Sequence, residues 1–165
     1  PMIVQAALGD SSADVEQVTL AEPSQDWEID VPDLYCERDY ESLASIGWNC
    51  GDVSVQATLT EDAKDDATTL RRMVRALAMA PLPADAPTFD GTNGALLLAD
   101  APSSTAALSL DGTGEDENKD WVVTVTGMGE QARTTASRIW RAFGQEDLPA
   151  AADSEFADFS GELMF

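Results

Sequence analysis

Three apolar runs in the second half of the chain stand so close together that the links between them limit the fold. "GALLLAD" and "TAALSLDG" are separated only by "APSS", and "WVVTVTG" follows the polar loop "DGTGEDENKD". Parallel neighbours need a crossover of a dozen or more residues, whereas hairpin-length links join antiparallel strands. The runs therefore predict an antiparallel sheet. In the last of them Trp121, Val123 and Val125 share one face, the period of two expected of a strand.

The same period appears upstream. "DVSVQATL" alternates Val53, Val55, Ala57 and Leu59, and "WEIDV" alternates Trp27, Ile29 and Val31 before Pro32 ends it. "VEQVTL" reads as a strand or as part of a linker, and Met2, Ile3 and Val4 as a further short strand. Helical spacing takes over in "TEDAKDDATTLRRMVRALAMA", where Ala63, Ala67, Leu70, Val74 and Leu77 recur every three or four residues. Thr60 is its expected N-cap. Acids fill its first turns and Arg71, Arg72 and Arg75 lie further along, complementing the helix dipole. Pro81, Pro83 and Pro87 forbid its continuation and open a loop.

A second long helix opens at Gly129, carries the stripe Ala132, Ala136, Ile139, Trp140 and Phe143, and takes Gly144 as its C-cap. A short helix is expected over "CERDYESLASIG", with Tyr40, Leu43 and Ala44 on its apolar side and Gly47 as its stop. The predicted order is β, short α, β, α, β, β, β, α. This is an α+β fold, an antiparallel sheet with helices packed on it as a sandwich, not a doubly wound one.

Charge sets the expected domain limits. The chain of 165 residues carries 31 acids against 9 bases, a formal net charge of -22. Residues 1–60 hold twelve acids and a single base, Arg38, and residues 145–165 hold six acids and no base. The middle is the most balanced, so the single folded domain is expected over 27–144. An acidic N-terminal segment or linker covers 1–26, and an acidic, flexible tail covers 145–165. Phosphate binding relies on Lys and Arg, so nucleic acid is a poor partner. A basic partner or cations fit such a surface, and so does mere solubility in a salty or extracellular setting.

Cys36 and Cys50 are the only cysteines, and the chain has no histidine. Redox pairs usually sit as C-x-x-C, and structural zinc usually takes four Cys or His ligands. A disulfide between Cys36 and Cys50 is the expected arrangement, closing a loop of about 15 residues worth roughly 3 kcal/mol. Two buried free thiols are the rival. A disulfide implies an oxidising compartment, so the chain is expected to be secreted or held on the outer side of the cell membrane. An intracellular halophile protein would share the acidity but not the bridge. No run of about 18 apolar residues spans a membrane, and the opening "PMIVQAALGD" fits the remnant of a signal or of a removed anchor.

Without imidazole, Ser-His-Asp and Cys-His machinery is excluded. Lys64 and Lys119, the only lysines, sit among acids that favour their charged form. Paired carboxylates remain open, since a glycosidase needs only two. "DGTGEDENKD" departs from the EF-hand loop at Thr113 and Asp116, which leaves weak cation binding at Asp111, Glu115 and Asp116 against an ordinary solvated loop. No metal or cofactor is expected.

Six of the seven arginines, Arg71, Arg72, Arg75, Arg133, Arg138 and Arg141, lie on the two long helices. If both helices pack on one face of the sheet, they form a basic patch for a carboxylate partner or a lipid phosphate. The alternative is dipole complementation and local salt bridges. Trp27, Trp48, Trp121 and Trp140 are expected in the core. Phe156 and Phe159, flanked by acids, read as a short docking segment that orders on a partner.

The closing unit, "WVVTVTGMGEQARTTASRIWRAFG", resembles the last strand and helix of the Mog1/PsbP-like fold, a family that includes small actinobacterial cell-envelope lipoproteins. The resemblance implies a non-enzymatic role in binding or assembly. The expected function is a non-catalytic extracytoplasmic binding domain, an accessory subunit of a membrane-associated envelope complex. Arg71, Arg72, Arg75, Arg138, Arg141, Phe156 and Phe159 are its candidate partner contacts. A carrier of small apolar ligands or lipids and a carboxylate-only hydrolase are the alternatives.

Overall fold

The computed structural model describes residues 15–22, 26–42, 44–61, 66–78, 87–91, 94–101 and 104–159. The expectations for Met2 to Val4, Leu43, Ala63, Pro81 and Pro83 lie outside the described residues, as do the side chains of Ala67 and Leu77.

Eight strands form one antiparallel sheet: β1 (Val15–Leu20), β2 (Ile29–Arg38), β3 (Ile46–Cys50), β4 (Val53–Glu61), β5 (Thr88–Asp90), β6 (Leu96–Asp100), β7 (Thr105–Asp111) and β8 (Lys119–Thr126). Their spatial order is β1-β2-β3-β4-β8-β7-β6-β5. Each half of the chain folds as a four-stranded meander, and the two meanders meet where β4 pairs with β8, from Ser54 against Thr126 to Glu61 against Lys119. Three α-helices accompany the sheet among the described residues: α1 (Asp66–Ala78), α2 (Gly129–Gly144) and α3 (Ala150–Phe156). Among the described residues no helix is long and apolar enough to cross a membrane.

Pleating sorts the side chains of β8 onto two faces. Val122 joins Leu98, Ala107, Leu70 and Val74 in a small core beneath α1. Trp121, Val123 and Val125 turn the other way, into the main core with Leu97, Leu108, Val55 and the α2 stripe of Ala132, Ala136, Ile139, Trp140 and Phe143. The two long helices therefore lie on opposite faces. Burying that second stripe follows from its spacing, and at about 25 cal/mol per Å² it is a principal source of stability.

Several local expectations give way to tertiary structure. Pro32 does not end β2. Thr19 pairs with Asp30 and Gln17 with Tyr35, so β2 fits extra residues between those pairings. That bulge holds Pro32 and Asp33 off the ladder, with Asp33 at φ 66. "CERDYESLASIG" is no helix, since Cys36 to Arg38 end β2 and Ile46 begins β3. Between them, short side chains bind backbone and displace the helix: Glu41 N–H donates to Asp39 Oδ1 (3.0 Å), and Ala44 N–H to Ser42 Oγ (3.1 Å). Thr60 lies in β4 and donates to the Asp120 carbonyl instead of capping α1. Gln145, not Gly144, takes the left-handed C-cap of α2, at φ 57. Thr88 to Asp90, in the stretch expected as loop, add β5 to the sheet edge.

The sheet and its core also run past 27–144 at both ends. Val18 and Leu20 of β1 are fully buried, and so are Ala152 and Phe156 of α3. Gly129 permits the second docking: its N–H donates to the Phe159 carbonyl (3.0 Å), and a Cβ there would stand 2.8 Å from the Phe156 carbonyl oxygen.

Candidate functional site

Cys36 and Cys50 are joined, with S–S 2.10 Å and χ3 101°. Glu37 pairs with Asn49 and Arg38 with Trp48, so one step further in the same register the two cysteines stand directly opposed on β2 and β3. Their Cα separation of 4.6 Å is that of a closely spaced antiparallel pair. No cysteine is free.

The bridge lies on the same face as Arg38 and Trp48, and those two residues form the centre of a cleft of about 450 Å³. Arg38 places its guanidinium over the Trp48 ring at 5.0 Å and over the Tyr40 ring at 5.3 Å, a cation shared by two aromatic faces. Glu16 approaches it at 3.9 Å. Glu22, Asp26 and Glu28 complete the acidic wall, and Ile46 and Trp48 form the apolar floor. Glu22 also accepts from Ser45 Oγ at 3.1 Å, which ties the end of β1 to the start of β3. Trp27, half-buried, anchors the strand entry by tilting against Trp121 at 6.5 Å, and its carbonyl accepts the Trp121 indole N–H. Trp48 is 2% exposed, and its own indole N–H has no partner among the described residues.

The arginines expected to share a patch are divided by the sheet. Arg71, Arg72 and Arg75 belong to α1 on one face. Arg133, Arg138 and Arg141 belong to α2 on the other. Arg133 is clasped by Glu130 (2.5 Å) and Asp153 (3.5 Å). The hydrogen bond that it donates to Glu130, more than the charges around it, holds the guanidinium above its ordinary pKa despite some desolvation. Arg138 donates to the Asp33 carbonyl (2.6 Å), and Arg141 pairs with Asp147. Arg138 and Arg141 do line one cleft of about 540 Å³, but Asp30 and Asp33 share it. Local pairing therefore accounts for the α2 arginines.

Phe156 and Phe159 do not project as a docking segment. They are 0% and 4% exposed, with ring centroids 4.7 Å apart, at the base of a cleft of about 570 Å³ between α2 and α3. Acidic flanks suggest exposure, but the chain turns Asp153 and Asp158 outward and the two rings inward.

The buried carboxylates Asp100 and Asp120 lie far apart. Asp100 faces Thr105, which faces Thr126, so it and Asp120 are separated by the length of β8, about 20 Å at the rise of a strand. Asp111 stands directly opposite Asp120, yet neither lines any of the three clefts. Asp116 of the polar loop pairs with Lys119 at 3.1 Å. Among the described residues no three His, Cys, Asp or Glu side chains gather as they would around a metal ion.

An acidic antiparallel-sheet domain, stapled beside an aromatic cleft, is thus what fold and site define. No protein-family model matches the chain, and no curated protein or solved structure shows significant similarity to it.

Proposed function

We propose that the chain is a non-catalytic, extracytoplasmic binding domain, an α+β sandwich that serves as an accessory or assembly subunit of a membrane-associated cell-envelope complex. The observation that carries this reading is the cleft around Arg38 and Trp48. It sets four carboxylates against one guanidinium, and a covalent bridge fixes its floor. An excess of one charge sign around a shaped recess favours a partner of the opposite sign. The Cys36–Cys50 bridge supports an oxidising compartment. The charged wall of the Trp48 cleft favours protein binding over the carriage of apolar ligands, whose pockets are lined mainly by hydrophobic side chains.

A photo-crosslinking residue in place of Glu28, on the oxidised full-length chain, tests the reading in detergent-solubilised native envelope. Capture of a subunit of a membrane complex, lost at high salt, is the expected result. A chain that stays monomeric and uncrosslinked in that envelope refutes it.

A further inference from the structure

The cleft borders an unfinished sheet. β1 is the outermost strand, with β2 on one side and no strand on the other among the described residues. Such an edge presents a row of main-chain donors and acceptors to any extended chain, and stable proteins usually blunt it with lysine, proline or shortness. The opposite edge, β5, is only three residues long. β1 has six, "VEQVTL", with no lysine and no proline. The cleft runs beside it: Glu16, Gln17, Thr19, Ala21 and Glu22 all line the recess.

We propose that β1 receives a basic, extended segment of a partner protein by strand addition. The inference rests on the binding role above and gives that role its partner chemistry. Strand addition gains affinity from the backbone and selectivity from alternate side chains. On the cleft face of β1, Glu16 is exposed and Val18 and Leu20 are fully buried, so a side chain of the added strand that turns toward the cleft meets Glu16, and Glu22, Asp26 and Glu28 stand beyond the end of the strand. Lysine or arginine fits there, with its methylene stem along Ile46 and Trp48 and its charge among the carboxylates. Side chains on the other face lie beside Val15 and Gln17, with Glu37 behind Val15 and Tyr35 behind Gln17; Val15 is 45% and Tyr35 60% exposed. Apolar residues suit that side. The motif is thus an alternation of basic and apolar residues.

The probe is a capped octapeptide alternating lysine and valine, titrated into the oxidised full chain and followed by calorimetry and amide hydrogen exchange. The expected result is binding that weakens with salt and new protection of those β1 amides that face away from β2. The same peptide with alternate backbone nitrogens methylated keeps its charge but loses ladder hydrogen bonds, and it is expected to bind at least about tenfold more weakly. Glu16→Lys and Glu28→Lys each weaken binding about tenfold, with unchanged melting temperature and an intact bridge. Glu115→Lys, outside the cleft, changes it little. Equal binding of the methylated peptide overturns strand addition, because charge alone then explains the affinity. Protection elsewhere, or no binding, overturns it as well. In either case, capture of an envelope subunit through position 28 still supports the broader binding role, and its failure removes that role separately.

Discussion

Breaking the bridge between Cys36 and Cys50 gives the sharpest quantitative test. The two residues are 14 apart in sequence, and closing a loop of that length in the unfolded chain removes entropy worth about 3 kcal/mol. For a chain of this size each kcal/mol moves the melting temperature by about 2–4 °C, so reduction is expected to lower it by about 6–12 °C. Cys36→Ala with Cys50→Ala should cost about 1 kcal/mol more than reduction. Cys36 is 2% exposed, so thiols left in place still fill the core, whereas alanine removes the sulfur. Urea unfolding followed by circular dichroism, with and without reductant, reads both differences. The reduced chain should also unfold with a larger m-value, since its denatured state is less restricted. Equal midpoints for oxidised and reduced protein would refute the reasoning. They would mean either that the sulfurs are not joined in solution or that the unfolded chain already holds the two residues together.

Phe156→Ala empties a fully buried site between α2 and α3 and is expected to cost about 3–5 kcal/mol in thermal unfolding; a change under about 1 kcal/mol would show that α3 does not dock in solution. Gly47→Ala places a Cβ 2.4 Å from the Ser42 Cβ and should destabilise by about 1–3 kcal/mol, with partial recovery when Ser42→Gly is added. Arg38→Ala removes the cation that lies over the Tyr40 and Trp48 rings, a loss of about 0.5–1 kcal/mol, and should alter Trp48 fluorescence.

Where sequence and structure agree, one period dominates its neighbourhood. β4, β6, β7 and β8 each alternate or run apolar over several residues between short links, so neither helix nor parallel pairing competes. α1 and α2 carry long stripes, and the cysteines left few chemically sensible alternatives. The sequence misled where a single residue had two meanings. Pro32 usually ends a strand, but a bulge spares it the ladder. Tyr40 and Ala44 have helical spacing, yet Asp39 and Ser42 hold their own backbone in turns. Phe156 and Phe159 sit among acids, and only the seven-residue α3 decides which way they face. The cleft was beyond reach of any local pattern, because Glu16, Glu28, Arg38 and Trp48 come together through pairings of β1 with β2 and β2 with β3. Arg38, the lone base of the first sixty residues, was the one visible hint.

The seam between β4 and β8 has a consequence for how the protein is made. Thr58 waits for Val122, so a ribosome must extend well past the midpoint of the message before the first meander finds its neighbour. Until then β4 is an open edge, and open edges invite association between nascent chains. Twelve acids and a single base in residues 1–60 supply mutual repulsion between such chains during the wait.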